Sequence, residues 1–111
     1  MHSFGKYVLC VSILLLIPSV AFSQDGKTLF RTSCKVCHDK GSTNKQYTPM
    51  SLTQDQWRKF FSAKLVPAHK SAVDPKTGKK ALDGLTPDQV KAIQRFAIDH
   101  AADSEQPATC G

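Results

Sequence analysis

Apolar side chains recur at helical spacing in three separated stretches of the chain. These stretches are residues 25–37, 51–65 and 85–102. In each of them, large apolar residues follow one another at intervals of three or four positions, which is the pattern of an amphipathic α-helix. No stretch shows the sustained alternation of apolar and polar residues that is typical of a strand. The pattern therefore predicts an all-α fold with three main helices.

Polar residues in front of these stretches indicate where each helix begins. Asp25 is suited to be the N-cap of the first helix, because its carboxylate can accept a hydrogen bond from a free backbone N–H. Thr53 with Gln56, and Thr86 with Gln89, have the spacing of a capping box. We therefore expect the second helix to begin after Thr53 and the third after Thr86.

The segments between the helices contain the glycine and proline residues typical of loops. They cover residues 38–49 and 66–84. Loops of this length are uncommon in a compact domain and usually have a function. They become reasonable if they wrap around a large apolar ligand.

The first 23 residues have the features of a secretory signal peptide. Lys6 provides a positive charge, Tyr7 to Ile17 form a short apolar run, and Ser23 precedes the expected cleavage site. A membrane-spanning helix needs about 20 apolar residues, and this run is shorter. We therefore predict a signal peptide at 1–23, a single domain at 24–111 without a transmembrane segment, and a periplasmic or otherwise exported protein.

The chain is basic, with a formal charge of +6. This charge favours an anionic partner. Nucleic acid is not expected, because an exported chain without a nucleic-acid-binding motif has little access to it. Five of the lysines lie close together in sequence, against a single acid, Asp74; they are Lys64, Lys70, Lys76, Lys79 and Lys80. This basic segment is a candidate docking surface for a partner with an acidic surface.

The sequence Cys34-Lys35-Val36-Cys37-His38 carries the candidate chemistry. A structural zinc site needs four ligands, usually in two short pairs, and no second pair is evident. A redox-active dithiol of this spacing is expected in a βαβ setting, which the pattern does not predict. Covalent haem attachment requires two thiols that meet the two vinyl groups and a histidine directly after them. The motif therefore favours one covalent haem c, with His38 as the proximal iron ligand.

The domain resembles a small monohaem class I cytochrome c. In that family the first helix carries a glycine and, four residues later, an aromatic residue, as Gly26 and Phe30 do here. The last helix carries an aliphatic and an aromatic residue three apart, as Ile93 and Phe96 do. The resemblance implies that these two helices cross closely and that the domain encloses the haem. The middle of the chain departs from the family, because no methionine precedes the last helix.

The distal iron ligand is therefore open among four alternatives. His69 lies in the region expected to cross the far face of the haem, and we assign it provisionally. Met50 is the alternative, since a thioether is a good sixth ligand but this one comes early in the chain. His100 near the end of the last helix is better suited to capping that helix or facing solvent. The fourth alternative is a vacant position.

These features predict an exported electron carrier that is not an enzyme. Cys34, Cys37 and His38 bind the haem, His69 completes the iron site, and redox proteins are the expected partners. The alternative is a haem enzyme or small-ligand sensor with a vacant or labile sixth position.

Cys110 has no partner once the motif binds haem, and the sequence does not assign it a role. Four aromatic residues are expected to line or cover the haem; they are Tyr47, Trp57, Phe60 and Phe61.

Overall fold

A computed structural model describes residues 25–108; the predicted signal peptide and Cys110 lie outside the described residues. Within this range the chain is helical and forms no strand, in agreement with the predicted all-α class. The helices are α1 (Gly26–Leu29), α2 (Gln54–Lys59), α3 (Leu65–Ala68) and α4 (Pro87–Asp99). A π-helical turn, Phe30–Cys34, continues α1, and a second one, Phe60–Lys64, joins α2 to α3. The described chain thus has three main helical segments.

All three predicted N-caps are confirmed. The carboxylate of Asp25 accepts a hydrogen bond of 2.7 Å from the backbone N–H of Thr28. Thr53 and Gln56 form the predicted capping box at the start of α2. Thr86 and Gln89 form the other at the start of α4. Local side-chain chemistry therefore fixes where each of the helical segments begins.

The contact between α1 and α4 depends on a glycine, as the sequence predicts. A β-carbon at Gly26 would lie 2.8 Å from the β-carbon of Phe96 and would overlap the backbone carbonyl of Ala92. Only a residue without a side chain allows the two backbones to approach so closely. The expected packing role of Gly26 is thus confirmed.

The core is small and apolar and lies where the three helical segments meet. Besides Pro49, six apolar side chains are buried among residues 25–108: Leu29, Phe30, Trp57, Ile93, Ala97 and Ala101. Phe30 contacts the rings of both Trp57 and Phe96, with ring centroids 6.3 and 5.6 Å apart. The indole N–H of Trp57 donates a 2.8 Å hydrogen bond to the carbonyl of Pro49, so this buried polar group is paired. The first and last helices therefore pack against each other and against α2.

The second helical segment extends further than the sequence predicts. Residues 66–84 were expected to form a loop, but α3 continues through Pro67 to Ala68. Proline has no backbone N–H and clashes with the carbonyl four residues earlier in a regular α-helix. In this chain the carbonyl four residues before Pro67 belongs to Ala63. Ala63 lies in the wider π-helical turn Phe60–Lys64, directly before α3. The expected loop therefore begins three residues later than predicted, and His69 lies at its start as the C-cap of α3.

The remaining residues form turns between the helices. Pro49–Ser51 form a short 3₁₀ helix before α2. Residues 70–86 contain a tight turn at Gly78, whose φ of 69° suits glycine, and an isolated antiparallel bridge between Val73 and Lys80. After α4 the chain turns back, and the backbone N–H of Ala108 donates to the carbonyl of His100. Within residues 25–108 we find no helix with the length and apolar character that a membrane span requires.

The replacement Gly26→Ala should destabilise the fold. The new methyl group would meet backbone atoms of Ala92 that cannot move without shifting α4. Overpacking of this kind costs about 1–3 kcal/mol. A chemical denaturation series monitored by far-UV circular dichroism would measure the loss.

Gly84→Ala is the matched control for this replacement. A β-carbon there meets no atom within 4 Å, so the free energy of unfolding should stay nearly unchanged. Equal stability of the two variants would contradict the close crossing of α1 and α4.

Candidate functional site

The two cysteines of the motif lie at the end of the first helical segment. Cys34 is the last residue of the π-helical turn, and the N–H of Lys35 closes that turn on the carbonyl of Phe30 at 3.1 Å. The N–H groups of Cys37 and His38 both donate to the carbonyl of Cys34, at 3.2 and 3.0 Å. These bonds fold the motif into one compact turn.

The environment of Cys34 favours an uncharged sulfur. Burial, and secondarily the neighbouring Cys37, raise the pKa of the Cys34 thiol to about 11. No disulfide joins the two residues. Thiol exchange and zinc binding both use the thiolate, which this environment disfavours. A thioether, in contrast, carries no charge, so the surroundings of Cys34 fit covalent attachment to a cofactor.

The imidazole of His38 is held by backbone groups of the following loop. Its Nδ1 donates a 2.7 Å hydrogen bond to the carbonyl of Lys45, because a carbonyl oxygen can only accept. The ring of Tyr47 lies edge-on at 5.1 Å between centroids, and the N–H of Tyr47 donates to the carbonyl of His38. With Nδ1 protonated, the lone pair of a neutral His38 is on Nε2. Such a backbone bond is the usual way in which a metal-binding histidine is oriented.

His69 is held in the same way from the other side of the site. Its Nδ1 donates a 2.7 Å hydrogen bond to the carbonyl of Leu65, so in the neutral ring the lone pair is on Nε2. The ring also contacts Phe60, with centroids 6.2 Å apart. The imidazoles of His38 and His69 lie 6.0 Å apart between centroids, and their planes are inclined at 80°. The structure thus brings together the residues that the sequence assigns as proximal and distal ligands.

This separation can be compared with that of two ligands on one metal ion. Two imidazoles bound to opposite sides of a metal have ring centres about 6 Å apart, because each metal–nitrogen bond is about 2 Å and each nitrogen lies about 1.1 Å from its ring centre. The 6.0 Å between His38 and His69 equals this value. Both rings also direct Nδ1 to backbone, so both have the same nitrogen available. The residues present fit a haem iron with two histidine ligands.

The other two candidates for the distal position have different surroundings. Met50 lies in the 3₁₀ helix and is 40% exposed. His100 is the C-cap of α4, its Nδ1 donates to the carbonyl of Gln106 at 2.7 Å, and its ring contacts Phe96. His100 therefore fastens the C-terminal tail to the end of α4, and no contact with His38 or His69 links it to the site.

Aromatic side chains form a continuous group next to the two histidines. Phe60 contacts Phe61 and Trp57, with ring centroids 5.5 and 5.9 Å apart, in addition to its contact with His69. Trp57 is buried, whereas Phe60 and Phe61 are half-buried. These aromatic residues therefore join the core to the site, and two of them remain partly open for contact with an apolar group.

The charged residues around the site are almost all free of ion pairs. Across residues 25–108 the only salt bridge joins Arg58 to Asp55. All five lysines of the basic segment are exposed, while Asp74 is half-buried and accepts a hydrogen bond from the backbone N–H of Lys76. In this part of the chain no group of three or more histidine, cysteine, aspartate or glutamate side chains is arranged to hold a metal ion. The described residues therefore do not assemble the four-ligand set of a structural zinc site.

The backbone carbonyls that orient the two imidazoles are not apparent from the sequence. Lys45 and Leu65 contribute through their carbonyl oxygens, so their side chains carry no signal. Only the position of Leu65, four residues before His69, is consistent with a local bond of this kind.

Comparison with known proteins returns no relative. The chain matches no family model, no curated protein and no solved structure. The class of protein must therefore be argued from the motif and from the geometry of the site.

Proposed function

We propose that this protein is an exported c-type cytochrome that carries single electrons between redox proteins. The observation that carries the proposal is the pairing of His38 and His69. Their ring centroids lie 6.0 Å apart with the planes inclined at 80°, each ring is fixed through Nδ1 by a backbone carbonyl, and His38 directly follows the two cysteines of the haem-attachment motif. The close crossing of α1 and α4 at Gly26 supports the resemblance to small class I cytochromes c.

Each residue of the site has a defined part in this function. Cys34 and Cys37 would hold the haem through thioether bonds, and His38 and His69 would each supply Nε2 as a ligand to its iron. When bound, haem supplies an iron that alternates between the ferric and ferrous states. Two imidazole ligands keep the potential below that of a histidine–methionine site. Phe60 and Phe61 provide apolar surface that limits the access of water to the cofactor.

The small core gives the cofactor a structural part as well. Few apolar side chains are buried within residues 25–108, and small domains often depend on a bound group for stability. A haem between the first helix and α3 adds a large apolar surface next to Phe60. We therefore expect the folded state to depend on attachment.

The replacement of both Cys34 and Cys37 by serine should abolish covalent haem binding. A pyridine haemochrome assay after acid extraction should detect haem in the wild-type protein and none in the double variant. The variant should also be largely unfolded, as measured by far-UV circular dichroism. Cys110→Ser is the control and should retain its haem, because Cys110 lies outside the motif.

Two results would count against this proposal. Wild-type protein without covalently bound haem would contradict the cytochrome proposal and favour a zinc-binding or dithiol function for the motif. A double variant with a cooperative melt and native helix content would show that the cofactor is not needed for the core.

The replacement His69→Ala should open the sixth coordination position. We expect the ferric iron to change from low-spin to high-spin and the ferrous form to bind carbon monoxide, as measured by optical spectroscopy. Met50→Ala should do neither. His100→Ala is a closely matched control, because this histidine also donates Nδ1–H to a backbone carbonyl but contacts Phe96 and the tail.

The outcome also distinguishes the carrier from the alternative function. Wild-type ferrous protein that binds carbon monoxide readily has a vacant or labile sixth position, as a haem enzyme or small-ligand sensor requires. If Met50→Ala, and not His69→Ala, opened the iron, the distal ligand would be the thioether and the potential would be higher.

The basic segment provides a surface for an acidic redox partner. Lys64 lies five residues before His69, Lys70 follows His69 directly, and all five lysines of the segment are exposed. Opposite charges raise the rate at which two proteins meet, and salt screens this attraction beyond about 8 Å at physiological ionic strength. The exposed Val66 in α3, three residues before His69, adds apolar surface beside the charges.

Charge reversal at Lys70 should slow electron transfer to an acidic partner protein. Lys70→Glu should lower the second-order rate several-fold at low salt, and the difference from wild type should shrink as ionic strength rises. Lys91→Glu makes the same charge change on the exposed side of α4 and should have a smaller effect. Stopped-flow kinetics over a salt series would measure both. Rates that stay flat as salt increases would contradict docking through the basic segment.

A further inference from the structure

The ring of His69 lies on a side of the second helical segment where a regular helix would not place it. His69 follows Phe60 by nine positions, and at 3.6 residues per turn such residues point in opposite directions, about 180° apart around the axis. Their rings nevertheless contact each other, with centroids 6.2 Å apart. Some feature between them must change the register.

The π-helical turn Phe60–Lys64 accounts for this change. The N–H of Leu65 donates to the carbonyl of Phe60, five residues earlier, so the turn contains one residue more than an α-helical turn. One additional residue rotates everything after it by about 100° relative to a regular helix. His69 then lies about 80° from Phe60, on the side of the helix that faces His38.

The burial pattern shows the same shift. Lys64 is exposed and Leu65 is half-buried, although a regular helix would place Lys64 closer than Leu65 to the direction of the buried Trp57. Pro67 contributes to the cause, because it has no N–H to donate to the carbonyl of Ala63 and so already interrupts the α-helical pattern there.

We propose that the π-helical turn Phe60–Lys64 is a positioning element for the distal iron ligand. Because this turn takes up one residue more than an α-helical turn, His69 lies on the side of the helix that faces His38. The hydrogen bond from Nδ1 to Leu65 fixes the ring to the end of this turn. The inference rests on the proposed function, since it concerns a ligand to haem iron.

Deletion of one residue from the turn and deletion of two residues should have opposite effects on the iron site. Removing one residue from the turn should convert it into a regular α-helical turn and leave His69 on the same side of the helix. Removing two residues should rotate His69 by about 100° away from His38. The segment that leads to the ligand should therefore tolerate the loss of one residue but not of two.

The experiment compares three variants of the haem-loaded protein. Deletion of Ser62, which is exposed, should retain the low-spin ferric spectrum, and its ferrous form should not bind carbon monoxide. Deletion of both Ser62 and Ala63 should give a high-spin ferric spectrum and carbon monoxide binding, as for His69→Ala. Ser62→Ala keeps the length and removes only the hydrogen bond from the Ser62 hydroxyl to the carbonyl of Lys59, so it should remain low-spin.

Covalent haem content and far-UV circular dichroism of each variant separate misfolding from ligand loss. A single deletion that is folded, retains haem and is high-spin would overturn the proposal, as would a double deletion that remains low-spin. If the deletion variants were unfolded, insertion of one alanine after Ser62 supplies the same test. The inserted residue should rotate His69 away from His38 and give a high-spin spectrum.

Failure of the proposed function has a different signature. Wild-type protein without covalent haem removes the cytochrome proposal before any deletion is compared. A wild-type spectrum that His69→Ala leaves unchanged would overturn the positioning role alone, because the attachment of haem by the motif would stand.

Discussion

The structure depends on Phe30, the side chain at which its three helical segments meet. Its ring contacts Trp57 of α2 and Phe96 of α4, and its backbone carbonyl accepts the hydrogen bond that closes the turn ending at Cys34. One residue therefore couples the packing of the core to the conformation of the candidate haem-attachment motif. Aromatic contacts of this kind add about 0.5–1.5 kcal/mol each beyond burial, which is substantial for so small a core. The position of Phe30 in turn requires the close approach that Gly26 permits.

The parts of the fold that could be predicted from the sequence are those decided by local chemistry. The caps at Asp25, Thr53 and Thr86 need only a side chain and a backbone N–H a few residues away, and all three form. The two π-helical turns could not be predicted in this way. Whether a backbone N–H bonds four or five residues back depends on the packing of side chains from other helices. Pro67 adds a misleading signal, because proline usually indicates that a helix has ended.

The residues of the candidate site likewise differ in whether local sequence predicts them. Cys34, Cys37 and His38 are adjacent in sequence, so their chemistry could be predicted from spacing alone. His69 could be selected from the sequence only because no methionine lies in the loop before the last helix. Its relation to His38 depends on the direction of a helix, on a π-helical turn and on a carbonyl of Leu65, none of which the residue types encode directly. The position of a ligand on the far side of a cofactor is a tertiary property.

The three half-buried histidines of the described chain show why orientation, rather than composition, distinguishes a ligand. Each donates Nδ1–H to a backbone carbonyl at 2.7 Å, so all three use the same ring nitrogen as the donor. His100 uses this bond to fasten the tail and turns its ring to Phe96, whereas His38 and His69 turn toward each other. When both rings are neutral, neither has a proton on Nε2, so the two imidazoles cannot hydrogen-bond to each other through these atoms. A metal ion bound by both Nε2 atoms would satisfy both lone pairs at once, and this is the physical argument behind the proposed haem site.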